Sequence, residues 1–391
     1  MTENINLSII WHFHQPTFIP DYEVREKVSE SYMNILNIHE ELEIPFCLNI
    51  TGALLERLLV LQPKFIDYVK HLIKKNFIEL LASAYYHPVL PLLSYEDAKM
   101  QIEKDIEIKR MVFNTPLKGF WPTELAWTHW LIPLLKKEKL RWAILDTSAL
   151  ILSNTLPEWS NRAVQGMKVL SPELKTITLK QETYQPYFTE FLNDKLAIIF
   201  RDHEMSVYLT EFKKGVIYNE TLIEDYIRKI TNDVISGGLL VIADDGERVN
   251  AQTARVYKKL LKELTINNNK ISFHTPTLFL ENNPPMENRY FPASTFQYDL
   301  KAWISTMDDE TYLLFLRQVS EKIRLLKHLS KLQEKNLKVE SYLKKAEEML
   351  LKAEDSSCLF WRFLQRTRKP CYEYVYKALS CVNKGLEELQ C

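Results

Sequence analysis

In the stretch SIIWHFHQPTF, residues 8–18, two imidazoles stand two positions apart directly after an apolar run. Alternate side chains of an extended strand share a face, so His12 and His14 project together just before Pro16 ends the strand. Such a pair suits metal ligation, hydrogen bonding to sugar hydroxyls, or burial against backbone partners. Two carboxylate motifs bear on the choice. Glu124 lies in GFWPTELAW between Trp121 and Trp127, where burying a charge for packing alone is costly. Asp244 and Asp245 end another apolar run in LLVIADDGERVN, with Gly246 allowing a tight exit. Taken singly, a salt-bridged Glu and a helix-capping Asp explain these motifs as well. Together, two acidic strand ends in aromatic surroundings are what a glycosidase uses: one carboxylate attacks the anomeric carbon and the other moves the proton.

Seven short apolar runs position these groups: residues 7–14, 44–51, 77–87, 117–124, 141–146, 196–203 and 239–245. A helix-compatible stretch follows each, such as SYEDAKMQIEKDIEIKRMVF, for which Ser94 is a suitable N-cap. Continuous apolar strands alternating with helices imply a parallel sheet covered on both faces. His14, Thr51, His87, Glu124, Asp146, Asp202 and Asp245 fall at the carboxyl ends of the runs. A closed β/α barrel gathers such ends at one mouth, whereas an open doubly wound sheet spreads them along an edge. The barrel is therefore the expected fold.

Residues 150–195 read as a long ordered loop whose aromatics Trp159, Tyr184 and Tyr187 face the ligand. From Asp309 onward only helical periodicity remains. Tyr312, Leu316, Val319, Ile323 and Leu326 form one apolar stripe. Leu343, Ala346, Leu350 and Ala353 form a second, and Tyr372, Val375, Leu379 and Val382 a third. The expected organisation is α/β: an incomplete (β/α)7 barrel catalytic domain over 1–285, then a C-terminal α-helical bundle domain over 286–391.

Composition excludes several functions. A net charge of −1 over 391 residues supplies no field for nucleic acid or an acidic membrane. Only 8 glycines occur, in neither GxGxxG nor GxxxxGK[ST], so neither common nucleotide cradle is present. The five cysteines, Cys47, Cys358, Cys371, Cys381 and Cys391, are odd in number and form no CxxC. That pattern suggests neither a secreted disulfide framework nor a zinc finger. The amino terminus lacks a signal-peptide pattern and no apolar run reaches membrane-spanning length. A cytoplasmic protein without cofactor or metal is expected, with a saccharide as its partner.

The string WHFHQP (11–16) is followed by ASAYYHPVLPLL (82–93), GFWPTELAW (119–127), YQPY (184–187), IIFRDHEMS (198–206) and ADDGE (243–247). In this order they resemble glycoside hydrolase family 57, a family of α-amylase-like and related α-glycan enzymes. In the helical tail, AEDSSCLFW (353–361) is similar to the family's last motif. The resemblance implies an incomplete seven-stranded barrel followed by helices. It implies Glu124 as the nucleophile and Asp245 as the general acid/base, a choice between Asp244 and Asp245 that strand alternation alone leaves open. His12, His14 and His87 would then line the sugar subsite at the cleavage point, with Gln15, Trp121, Asp202, His203 and Trp361 as further substrate contacts. Departures fall at Ser356-Ser357-Cys358, where the family usually carries a Ser-Asp pair followed by tryptophans, at RVNAQT after DGE, and at Thr147 after Asp146. They bear on the choice of sugar more than on the chemistry.

The leading reading is a retaining α-glycosidase or glycosyl-transfer enzyme acting on an α-linked glucan or oligosaccharide. A second class is metal-dependent: His12 and His14 with Asp202 or His203 would hold a divalent ion, as in similarly barrelled polysaccharide deacetylases and mannosidases. A third is a non-catalytic glycan-binding protein with an intact carboxylate pair.

Overall fold

The seven apolar runs become parallel strands in a computed structural model, which describes residues 4–162, 182–213, 220–234, 237–266, 271–333, 336–360 and 365–390. In chain order the strands are β1 (Ile5–Phe13), β2 (Phe46–Ile50), β3 (Ile78–Leu80), β4 (Gly119–Phe120), β5 (Trp142–Asp146), β6 (Tyr187–Phe191), β7 (Asp194–Arg201), β8 (Leu239–Asp245) and β9 (Ile271–Phe273). The main path runs β3-β2-β1-β8-β7-β5-β4. Its ends meet through Ala82, which donates to Gly119 O at 3.0 Å and accepts from Trp121 N at 2.8 Å. Between β7 and β8 the pairing is a single register position, Arg201 opposite Val241. The sheet is thus nearly closed into a seven-stranded barrel. β6 is an antiparallel hairpin partner of β7, and β9 adds to the start of β1.

Packing assigns a side of the sheet to the buried apolar strand residues. Ile9, Trp11 and Phe13 join the outer core against the surrounding helices, whereas Ile10 belongs to the cluster inside the barrel. The same inner cluster takes Cys47, Trp142, Ile144, Ala197, Ile199, Val241 and Ala243. With a side-chain period of two, the next inward position on each strand is His12, Asn49, Asp146, Arg201 and Asp245. An apolar plug therefore fills the barrel and a polar layer sits above it, at the mouth.

Of the helices, Tyr95–Phe113 starts where its N-cap places it, with Ser94 accepting from Asp97 N. The helical region contains Met307–Lys331, Leu337–Ala353 and Gln365–Gln390. Thr306 and Asp309 form a capping box at the start of the first. The three apolar stripes pack together in a second core that also takes Val89, Leu92 and Ala126 from the loops after β3 and β4. Helices and barrel mouth thus share buried surface. Residues between them bond to the barrel as well: Trp127 pairs with Ser294 and Phe188 with Asn288.

Two expectations need correction. Residues 150–195 are not one ligand-facing loop. They contribute to the helix Thr147–Arg162 and to the hairpin of β6 and β7, with residues 163–181 outside the described part. Tyr184 and Tyr187 are buried, the latter packed against Phe200 and Phe291. The side chain of Trp159 lies outside the described residues. Secondly, Cys358 and Cys371 form a disulfide across a separation of 13 residues, which the odd cysteine count did not signal. Among the described residues, no helix is long and apolar enough to cross a membrane.

Candidate active site

His12 enters the site from the inward face of β1, in register with Asn49 on one side and Asp245 on the other. The amide nitrogen of Asn49 donates to His12 Nδ1 at 2.8 Å, while the amide oxygen of Asn49 faces Lys109 Nζ at 3.4 Å. Lys109 is held in turn by Asp105 at 2.8 Å. This buried chain makes Nδ1 of His12 the acceptor and leaves the proton on Nε2. Burial, with His14 and Lys109 nearby, lowers the His12 pKa well below its usual value, so the ring is neutral at physiological pH. Its other face stacks on Trp121, with centroids 5.3 Å apart.

β1 ends one residue before His14, whose Nδ1 lies 3.2 Å from Thr51 Oγ1. Its ring stacks on that of His87 at 4.1 Å. Gln15 turns away to donate to Tyr32 Oη at 3.2 Å, and Tyr32 Oη donates to His14 O at 3.3 Å. His87 follows β3 in a left-handed conformation, φ 58°. Burial, with His14 and His12 nearby, lowers its pKa well below the usual value.

Glu124 sits in the tight turn Thr123–Leu125 just after β4. There Glu124 and Leu125 both have positive φ, 57° and 48°. Left-handed backbone at a non-glycine costs on the order of 1–3 kcal/mol per residue and gathers at functional sites. The turn is clamped by Thr123 Oγ1 donating to Pro88 O and by Phe296 N donating to Glu124 O. Glu124 Oε1 accepts from Ser356 Oγ at 2.7 Å and lies 3.8 Å from His87 Nδ1. Burial pushes its carboxyl up to about 7; Ser356 opposes that shift, and the Asp245 and Asp355 carboxylates add to it.

Side-chain parity separates the two aspartates that the sequence left side by side. Leu240 and Ile242 face the outer core, and Asp244 follows them outward to accept from Thr210 Oγ1 at 2.7 Å. Asp245 follows Val241 and Ala243 toward the mouth and is exposed there. Its effect on the Glu124 carboxyl places both acids in one field.

The helical region supplies the remaining wall. Asp355 is 1% exposed, and its Oδ2 lies 3.7 Å from His14 Nε2. Neither atom has a hydrogen-bond partner, nor has the buried indole N–H of Trp121. Buried polar atoms without partners are rare in proteins. Here three of them belong to the histidine cluster and the residues packed on it.

Asp202 and His203 are tied into the hydrogen-bond network of the strand ends. Asp202 accepts from Tyr184 Oη and from Met205 N, both at 2.9 Å, at the start of the helix His203–Lys213. His203 pairs with Asp146 at 3.2 Å, which also accepts from Arg201 at 2.7 Å. Trp361 lies outside the described residues. Among the described residues, no group with ligand atoms close enough to share an ion joins His12 and His14 to Asp202 or His203. Among the described residues, the trio with ligand atoms within 4.8 Å of one another is His14, His87 and Asp355. The two rings are stacked 4.1 Å apart and within 12° of parallel, so their lone pairs lie in separate, nearly parallel planes; sharing an ion requires one ring to turn.

Residues 4–292 match the family described as Glycosyl hydrolase family 57. The chain belongs to that family. Among its relatives, the 4-alpha-glucanotransferase of Thermococcus litoralis is 25% identical over 338 residues, 83% of this chain and 46% of that protein. An alpha-amylase of Pyrococcus horikoshii is 25% identical over 326 residues, 81% of this chain and 46% of its own length. The chain thus spans about half the length of these curated relatives. Among solved structures, a GH57-type branching enzyme from Pyrococcus horikoshii superposes with a TM-score of 0.74 at 13% identity, covering 100% of this chain and 95% of that one. That likeness confirms the family 57 fold.

Proposed function

We propose that the protein is a retaining enzyme of α-linked glucans or oligosaccharides, acting in the cytoplasm on a saccharide partner. Glu124 is the nucleophile and Asp245 the general acid/base. The carrying observation is the partly buried Glu124 carboxyl, 3.8 Å from His87 in a histidine cluster whose neighbours His14, Trp121 and Asp355 carry unpartnered polar atoms. A sugar ring brings several hydroxyls, each both donor and acceptor, and can satisfy such atoms together. The division of labour follows from placement. Glu124 is fixed on the buried side by a hydrogen bond, as an attacking group must be. Asp245 is exposed at the mouth, where a leaving sugar departs and water or a second sugar arrives.

In this mechanism the barrel residues 1–285 form the catalytic unit and 286–391 close its site. Glu124 attacks the anomeric carbon while Asp245 protonates the departing glycosidic oxygen. Asp245 then takes the proton from the incoming water or hydroxyl as the glycosyl-Glu124 ester is resolved. His12, neutral with its proton on Nε2, serves as a hydrogen-bond donor to a sugar hydroxyl.

Two variants test the assignment on aryl α-glycosides and maltooligosaccharides. Glu124→Ala should lose the glycosyl-enzyme, and azide should then give the β-glycosyl azide by direct attack. Asp245→Ala should still react with good leaving groups while natural glycans slow ~10²–10⁴-fold, the usual worth of general acid help. Azide should rescue that variant with retained configuration. An exchange of these two azide products would reverse the roles; near-normal turnover in both variants would leave only glycan binding.

A further inference from the structure

We infer that Ser356, contributed by the helical region, is a positioning residue for Glu124: its hydroxyl fixes one carboxylate oxygen and is itself oriented by His87. This rests on the reading of Glu124 as nucleophile. Ser356 Oγ donates to Glu124 Oε1 at 2.7 Å and lies 2.8 Å from His87 Nδ1. A hydroxyl has one proton to give. With that proton on the carboxylate, His87 Nδ1–H must donate to Oγ, and the three groups form a directed chain from imidazole to hydroxyl to carboxylate. The hydroxyl cannot rotate away without leaving either His87 or Glu124 unpartnered in a buried site.

The backbone shows that this placement is built. Ser356 N donates to His87 O at 3.0 Å, and Asp355 bridges to Pro88, the residue whose carbonyl also holds Thr123 beside Glu124. Asp355 Oδ1 accepts from Ser357 N at 2.9 Å. Glu354 accepts from Gln101 at 2.8 Å, and Cys358 is tied to Cys371. Ser356 itself is 1% exposed. A segment anchored at both ends thus delivers one hydroxyl between the two barrel groups that need it.

The charged and titratable groups facing Glu124 are His87 after β3, Asp245 at the end of β8 and Asp355 beside Ser356, with His12 on β1 and His14 just after it behind His87. The two aspartates raise the carboxyl's affinity for a proton, and Ser356 is the hydrogen-bond donor that lowers it. Removing the hydroxyl therefore shifts Glu124 toward its protonated, non-nucleophilic form.

The experiment measures kcat/KM against pH on an aryl α-glycoside for the parent, Ser356→Ala, Ser356→Thr and Glu124→Ala. Ser356→Ala should move the acidic limb upward by about one pH unit, a loss of about tenfold on that limb. Ser356→Thr, which keeps the hydroxyl, should bring the limb back toward the parent. Carbon-13 titration of the Glu124 carboxyl should show the same displacement without any turnover. If Ser356→Ala does not fold, Ser356→Gly removes the same hydroxyl and should give the same displacement. An unmoved limb and carboxyl titration in a folded variant lacking the hydroxyl, with Glu124→Ala inactive, would overturn the role of Ser356 alone. Full activity of Glu124→Ala would instead overturn the underlying reading of the nucleophile.

Discussion

A carboxyl that burial pushes up to about 7 is only half ionised at neutral pH, and this links catalysis to stability at a single residue. In its proposed role as nucleophile Glu124 must be ionised, so kcat/KM should fall about tenfold per unit below pH 7. Stability moves the other way. The folded state keeps the Glu124 proton up to about 7, whereas an unfolded chain releases it near the usual 4.5. Between these values the native state binds more protons, so stability declines as pH rises through the window. Above it the ionised group costs on the order of 3 kcal/mol. Glu124→Gln should therefore be inactive yet raise the melting temperature at pH 8, with the gain shrinking to nothing near pH 4. A gain that stayed constant with pH would mean that Glu124 is not the destabilising group. His12 and His87 share the principle with the opposite charge sign: burial favours the neutral ring, which donates to a hydroxyl without bringing a positive charge beside Glu124.

At the level of elements, β8 shows how much a strand exit constrains. Gly246 follows Asp245, and a Cβ there would lie 2.3 Å from the Phe13 ring, which is stacked at 4.0 Å on Tyr32. The ring has little room to retreat, so Gly246→Ala should cost about 1–3 kcal/mol and lower kcat by displacing Asp245. Gly385→Ala is the contrast, since its Cβ meets the flexible end of Leu326 at 2.6 Å and gains helix propensity; chemical denaturation should show a smaller loss. The same strands explain what the sequence made legible. Seven apolar runs ending in polar residues identified all seven barrel strands and the mouth, because burial on both faces demands continuous apolar residues. That continuity also concealed parity, so Asp244 and Asp245 were not separable until Leu240 and Val241 had a side. β6 escaped notice because its hairpin turns through Leu192 and Asn193, both at positive φ, without the glycine that usually marks such a turn. β9 has three residues, too few for a periodic signal. Asp355 lies in AEDSSCLFW, but no local pattern marks it as the wall opposite His14, more than 300 residues earlier in the sequence.

For the whole molecule, the barrel mouth and the helical region meet at Glu124, His87 and Ser356, and the disulfide lies at their junction. Cys358 is two residues beyond Ser356, and its partner Cys371 lies in the helix Gln365–Gln390. That helix packs along Leu337–Ala353 in the second core. The bond thereby ties the segment holding Asp355 and Ser356 to the body of the bundle. Closing a loop of 13 residues restricts the unfolded chain by about 3 kcal/mol in the loop-entropy account. Cys371→Ser should lower stability by roughly 2–4 kcal/mol, read by chemical denaturation. Its effect on activity distinguishes an anchor from a remote staple. If the bond holds the Asp355–Ser356 wall in place, the variant should bind substrate more weakly at temperatures where it remains fully folded, and its acidic limb should drift in the same direction as that of Ser356→Ala. The parent treated with a dithiol reductant should reproduce both changes, and reoxidation should reverse them. A loss of stability with unchanged KM and pH profile would show that the hydrogen bonds of Ser356 and Asp355 to the barrel position the wall unaided.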